Sequence, residues 1–80
     1  MIRVNVKLFA TLRRYFPDYD PSKGIDVEMN EGVTVEDLLR TLSLSKNEAK
    51  NVFVNGISKK ITDPIHDRDQ VKIFTLIVGG

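Results

Sequence analysis

Glu31-Gly32-Val33-Thr34-Val35-Glu36-Asp37-Leu38-Leu39-Arg40-Thr41-Leu42 is the stretch on which the fold of this 80-residue chain turns. Val35, Leu38, Leu39 and Leu42 fall at i, i+3, i+4 and i+7, the apolar stripe of an amphipathic helix. Thr34 stands where a side-chain oxygen can accept from a first-turn amide, and Glu36 and Asp37 complement the positive end of the helix dipole. Glu31-Gly32 makes the turn before it. The helix is expected to end near Leu42 to Leu44, and Ser45-Lys46-Asn47-Glu48 is a second capping-box match consistent with one further short turn.

On either side of this helix the period changes to two. Ile2, Val4, Val6 and Leu8 alternate with Arg3, Asn5 and Lys7, and Ile25, Val27 and Met29 alternate with Asp26, Glu28 and Asn30, as half-buried strands do. Between them, residues 9–16 suit either a short helix or a packed loop, closed by Pro17. Residues 17–24, with two of the three prolines, read as a surface loop. After the helix, Val52-Phe53-Val54 and Asn55-Gly56 make a strand and a type I′ hairpin turn. Ile57 to Ile61 is the expected return strand, with Lys59 and Lys60 blunting its edge. Thr62-Asp63-Pro64 and Asp67-Arg68-Asp69 are turns, and Val71 to Ile77 form the last strand. The order β-β-α-β-β-β gives one helix one thing to pack on, the apolar face of a sheet of about five strands, an α+β fold. No repeat, linker or low-complexity segment divides the chain, so residues 1–80 are expected to form a single domain with a flexible Gly79-Gly80 tail.

Composition narrows the function. Apolar residues at 41% and charged residues at 29% are ordinary for a globular domain. The absence of cysteine removes disulfides, thiolate zinc sites, iron–sulfur clusters and a thiol nucleophile. No apolar run approaches the ~20 residues of a membrane span, and the alternating N-terminus is unlike a signal peptide. A cytoplasmic, soluble protein, monomeric when free, is expected. The net charge of +1 is spread evenly, with six Lys/Arg and seven Asp/Glu in residues 1–40 and six and four in residues 41–80. No basic stripe marks a nucleic-acid surface.

The usual catalytic constellations are missing too. His66 is the one histidine and lies in a turn; Asp63, Asp67 and Asp69 read as turn formers without the Gly and Glu of a calcium loop. No metal site is expected, and no glycine-rich phosphate loop precedes the helix. What is unusual is the outward parity. If Val71, Ile73 and Ile77 face the helix, then Lys72, Phe74, Leu76 and Val78 face away, as do Phe9 and Phe53. A sheet covered by one helix has a wet second face, where Phe53, Phe74 and Leu76 would form an apolar patch. Either the 9–24 segment covers this patch or a partner does; we read it as a protein interface that feeds the tail.

That tail is Gly79-Gly80. A closing glycine pair arises by chance in about one chain in two hundred, so alone it says little. Directly after a strand it says more. Three residues beyond Ile77 extend at most about 10 Å, and glycines can thread a narrow channel and take any φ. The chemical handle would be the Gly80 carboxylate, which becomes an electrophile once adenylated and then meets a sulfur or amine nucleophile.

The residues that carry these features resemble the small ubiquitin-like sulfur carriers, most closely the small subunits of molybdopterin synthase. The resemblance runs through Ile2 to Leu12, Glu31 to Leu39, Val52-Phe53-Val54-Asn55-Gly56, Asp69-Gln70-Val71 and Gly79-Gly80. It implies the β-grasp fold, a mixed sheet packed on one main helix. It also implies that a ubiquitin-activating-type enzyme, using ATP, adenylates Gly80, which is then converted to a thiocarboxylate. The large synthase subunit would receive the tail, hold the catalytic residues and pass sulfur to the precursor of the molybdenum or tungsten cofactor. Gly79, Val78, Leu76, Phe74, Phe53 and Phe9 would meet these partners, and no cofactor would be bound by the carrier itself. Two departures stand out. Arg68 occupies a turn position where the family often has Gly, and Thr75-Leu76-Ile77-Val78 replaces a proline-containing stretch. Thiamine-pathway sulfur carriers share the fold and the Gly-Gly end but usually lack the long Phe9-to-Gly24 segment, and a ubiquitin-like modifier that joins Gly80 to lysines is a third reading.

Overall fold

The structure is a computed structural model and describes residues 1–9, 16–44 and 51–74. In chain order it contains β1 (Ile2–Leu8), β2 (Ile25–Met29), α1 (Val35–Thr41), β3 (Asn51–Val54), β4 (Ile57–Lys59) and β5 (Gln70–Phe74). The strands form one sheet in the order β2-β1-β5-β3-β4. The central β1–β5 pair is parallel, from Asn5 opposite Gln70 to Leu8 opposite Ile73. All other pairs are antiparallel.

The alternation of β1 and β2 sorts their side chains as expected. Ile2, Val4, Val6 and Leu8 lie in the same buried cluster as Val27, Met29, Val52, Val54, Val71 and Ile73, and Val35, Leu38, Leu39, Leu42 and Leu44 close it from the helix side. A seven-residue helix is too short to persist alone, so its stability comes from this packing and from its ends. At the N-terminus Thr34 and Asp37 form a reciprocal capping box: the Asp37 amide donates to Thr34 Oγ1 (3.4 Å) and the Thr34 amide to Asp37 Oδ2 (2.9 Å). The Val35 and Glu36 amides donate to the carbonyls of Asp63 (3.0 Å) and Ile61 (2.9 Å), which lashes the loop before β5 to the helix start. The C-terminus is a Schellman motif. The Ser43 amide donates to Arg40 O (3.0 Å) and that of Leu44 to Leu39 O (2.9 Å), with Ser43 at φ 60° where glycine is usual. Leu44 is thereby folded into the core.

Two expected elements need adjustment. The return strand stops at Lys59 and does not reach Ile61, because Lys60 and Asp63 form a turn: the Lys60 amide donates to Asp63 Oδ2 (2.8 Å) and the Asp63 amide to Lys60 O (3.0 Å). The last strand begins one residue early, at Gln70, and is described as far as Phe74. Its expected continuation to Ile77, the second capping box at residues 45–48 and most of the 9–16 segment lie outside the described residues.

The hairpin turn is as the Asn55-Gly56 pair predicts, with φ of 53° and 83°. Asn55 does more than turn the chain. Its amide donates to Gln70 O (2.8 Å), its Oδ1 accepts from the Gln70 amide (2.9 Å), and its Nδ2 donates to Asp69 Oδ1 (3.0 Å). Asp69, the buried carboxylate, also accepts from the His66 amide (2.8 Å). The two short motifs around Asn55 and Asp69 are thus halves of one lock, which sets where β5 begins against β3.

Candidate functional site

The face of the sheet away from the helix runs from polar to aromatic. At the start of β1 its side chains pair with one another. Arg3 donates to Glu28 Oε1 (2.7 Å), and Asn5 Nδ2 donates to Asp26 Oδ1 (3.0 Å) and Lys23 O (2.8 Å). The hydrogen bond and charge of Glu28 raise the Arg3 pKa above its ordinary value. The Arg3 amide is also taken, by Asp67 Oδ1 (2.8 Å). Asp63, Asp67 and Asp69 are each engaged by a different backbone amide, which is turn chemistry rather than metal chemistry.

The other end of the face carries the aromatic cluster. Because β1 and β5 are parallel, both run toward the same edge, and the Phe9 amide extends their ladder by donating to Ile73 O (3.0 Å). Phe9 and Phe74 therefore stand side by side, with ring centroids 4.5 Å apart and planes 11° from parallel. Phe53 comes from β3, one register step from Phe74, and meets its ring edge-on at 5.6 Å and 85°. Both are favoured geometries for aromatic pairs. All three rings are half-buried. The three aromatic residues expected at the site are thus brought together from three strands. Leu76, Val78, Gly79 and Gly80 lie outside the described residues.

Of the 9–24 segment expected as a possible cover for this cluster, residues 10–15 lie outside the described residues, and the large side chains of 16–24 turn to the core. Phe16 and Tyr19 pack against the core cluster, and the Tyr19 hydroxyl accepts from the Leu8 amide (2.9 Å). Leu8 lies past the end of the β1–β2 ladder, so the phenol takes the place of a strand partner there. Gly24 (φ 70°) closes the loop against β1, where an added Cβ would lie 2.7 Å from Val6 O.

Sequence reasoning did not assign two flanking residues to the site. Lys7 and Lys72 are opposite each other in the β1–β5 register, immediately before Phe9 and Phe74 on the same face. Their outward parity was legible, but their adjacency depends on a pairing between the two ends of the chain. The cluster offers shape and apolar surface, with no nucleophile and base aligned beside it among the described residues.

A mixed five-stranded sheet with one helix across one face is the β-grasp of ubiquitin-like proteins, and solved structures of that class superpose along nearly all of this chain. SAMP1 from Haloferax volcanii matches with a TM-score of 0.75 at 21% identity, over 98% of this chain and 99% of that one. The Haloferax volcanii HVO 2177 protein matches with a TM-score of 0.76 at 25% identity, over 99% and 87%. A Pyrococcus furiosus protein assigned as molybdopterin converting factor, subunit 1, matches with a TM-score of 0.73 at 21% identity, over 96% and 100%. No curated protein sequence matches significantly. Residues 6–80 match the model of the ThiS family, and the chain belongs to that family of ubiquitin-like sulfur carriers. Among the described residues no helix is long and apolar enough to cross a membrane.

Proposed function

We propose that the chain carries sulfur on the carboxyl group of Gly80 and serves as the small subunit of a molybdopterin synthase. In the first step the carboxylate attacks the α-phosphorus of ATP in an adenylating partner, releasing pyrophosphate and leaving an acyl adenylate. Hydrosulfide delivered by a donor then attacks the carbonyl carbon and displaces AMP, leaving a thiocarboxylate. The large synthase subunit next takes the tail and supplies the groups that pass sulfur to a pterin precursor. The observation that carries this reading is the Phe9–Phe74–Phe53 cluster at the end of β5, because the remaining chain to Gly79-Gly80 starts there. Gly80 is the sixth residue beyond Phe74, a reach of at most about 22 Å. Docking on the rings, with Leu76 and Val78 continuing the contact, would deliver Gly80 to an active site within that radius.

The family membership supports the carrier chemistry, and the likeness to a protein assigned as molybdopterin converting factor favours this pathway. The ThiS match keeps sulfur delivery to thiazole synthesis as a second reading, and the SAMP1 likeness keeps conjugation to lysines as a third. Intact mass separates them. Incubation with the adenylating enzyme, ATP and a sulfur donor should add about 16 Da, the difference between sulfur and oxygen. Isopeptide ladders without that gain would replace the carrier by the modifier. Co-purification of a thiazole synthase in place of a large synthase subunit would move the carrier to the thiamine pathway.

A further inference from the structure

Lys7 and Lys72 are a like-charged pair in register on the two central strands, an arrangement that destabilises a sheet. Among the described residues nothing nearby relieves it. Neither lysine is ion-paired among the described residues. Along the strands they are followed by Phe9 and Phe74 and preceded by Asn5 and Gln70. To one side Lys72 faces Phe53 on β3. To the other, Lys7 lies against Gly24, where a Cβ would stand 3.1 Å from Lys7 Cγ and where the left-handed backbone disfavours any side chain. The acids of this face, Asp26 and Glu28, belong to β2 and are held by Asn5 and Arg3.

We propose that Lys7 and Lys72 are the electrostatic half of the docking surface and receive acidic side chains of the adenylating partner, set beside the apolar group that covers the three rings. The proposal rests on the docking role given to this face above. The adenylating enzyme is the first partner to occupy it in that sequence of steps, and it is the occupant meant here. The stated chemistry is a carboxylate pair adjoining an apolar contact. The two lysines do not make a phosphate-tracking stripe, and toward the start of β1 the same face carries Asp26 and Glu28 with Arg3 already paired to Glu28, which disfavours a nucleic-acid backbone. A lysine pair beside an apolar contact is suited to steering, raising the association rate and rejecting partners that lack the acids.

The test uses the full chain and its adenylating enzyme, with binding and ATP–pyrophosphate exchange measured from low to high salt. Lys7→Met with Lys72→Met should weaken binding about tenfold, mainly through a slower association rate, and flatten its salt dependence. In exchange assays KM should rise with kcat retained. Lys59→Met with Lys60→Met removes the same charge from the β4 edge and should change affinity by less than about twofold. Thermal unfolding of the Lys7/Lys72 double variant should occur at or above the wild-type temperature, since a repulsive pair has gone. Wild-type binding indifferent to salt, unchanged affinity in the double variant, or equal losses in both double variants would overturn the proposal while leaving adenylation intact. A fall in unfolding temperature would assign the lysines a structural role instead. Salt-sensitive binding of wild type to duplex DNA, lost in the double variant, would assign them to nucleic acid. If the wild-type chain is not adenylated at all, the sulfur-carrier reading fails first and this inference falls with it.

Discussion

Arg68 holds its backbone at φ 67°, in the left-handed region, while its side chain is 92% exposed and 3.9 Å from its nearest ion-pair partner, Asp67. The turn needs that geometry because the Arg68 amide donates to Arg3 O (2.7 Å), tying the turn to β1. A residue with a Cβ is strained there by about 1–2 kcal/mol, partly offset by the greater freedom glycine has when unfolded. Arg68→Gly should therefore raise stability by about 0.5–1 kcal/mol, read from the denaturant midpoint at constant m. Gly24 is the opposite case. It combines φ 70° with a close approach to backbone, a hypothetical Cβ lying 2.7 Å from Val6 O and 2.9 Å from Asn5 Oδ1. Gly24→Ala should cost about 2–3 kcal/mol and shift the unfolding midpoint accordingly, since backbone carbonyl oxygens cannot swing aside. Arg68 was recognisable from sequence as a turn residue, and the family resemblance marked its position as one where glycine is usual. Gly24 was not separable from an ordinary loop glycine, because its crowding comes from β1.

At the scale of elements, the helix start was the most legible feature. Thr34 and Asp37 sit at the spacing that a capping box requires, and the structure forms both of its bonds. The Thr34 backbone amide is the main cause that lowers the Asp37 pKa below the ordinary aspartate value, with the Thr34 hydroxyl and Arg40 acting in the same direction against burial. A carboxyl whose folded pKa is depressed contributes stability that is fully present above its unfolded value, near 4, and lost as pH falls through the folded one. Thr34→Ala should cost about 1 kcal/mol at neutral pH, and the Asp37→Asn variant should flatten the acid limb of the stability curve. Denaturant midpoints from neutral pH down to the acid transition would check both. The loop carbonyls of Ile61 and Asp63 that complete the cap were not legible. They come from a segment beyond the β3–β4 hairpin, which the Lys60–Asp63 turn, the Thr34–Pro64 bridge and the Ile65 amide on Val33 O bring to the helix.

For the whole molecule, the decisive contact is the parallel pairing of β1 with β5 in the middle of the sheet. It sets Phe9 beside Phe74 and Lys7 beside Lys72, so the aromatic cluster and the lysine pair share one end of one face, where the described part of β5 ends. Phe74 touches both other rings, which makes it the keystone of the cluster. Phe74→Ala should leave the chain folded, because the ring lies outside the helix-side core, yet raise KM for the adenylating partner by at least about tenfold, the loss expected at a central aromatic anchor. Exchange kinetics alongside thermal unfolding would separate the two effects; a chain that unfolds without its ring would make the cluster structural.

Period-two alternation, the i, i+3, i+4, i+7 stripe, the Asn55-Gly56 turn and the Thr34–Asp37 cap are short-range properties, set by backbone sterics and by which side chains prefer water. Reading them was enough to locate the helix, the described strands and the outward parity of Phe9, Phe53 and Phe74, though not the end of β4 or the start of β5. Strand order, register and the parallel β1–β5 pair are long-range properties, which depend on how buried area, turn locks and hydrogen bonds are satisfied together. They alone joined three rings into a cluster, lined up two lysines from opposite ends of the chain and used a tyrosine hydroxyl to finish a strand edge. Local preference names the face on which a side chain lies, but its neighbours on that face come from distant segments, and no spacing along the chain records them.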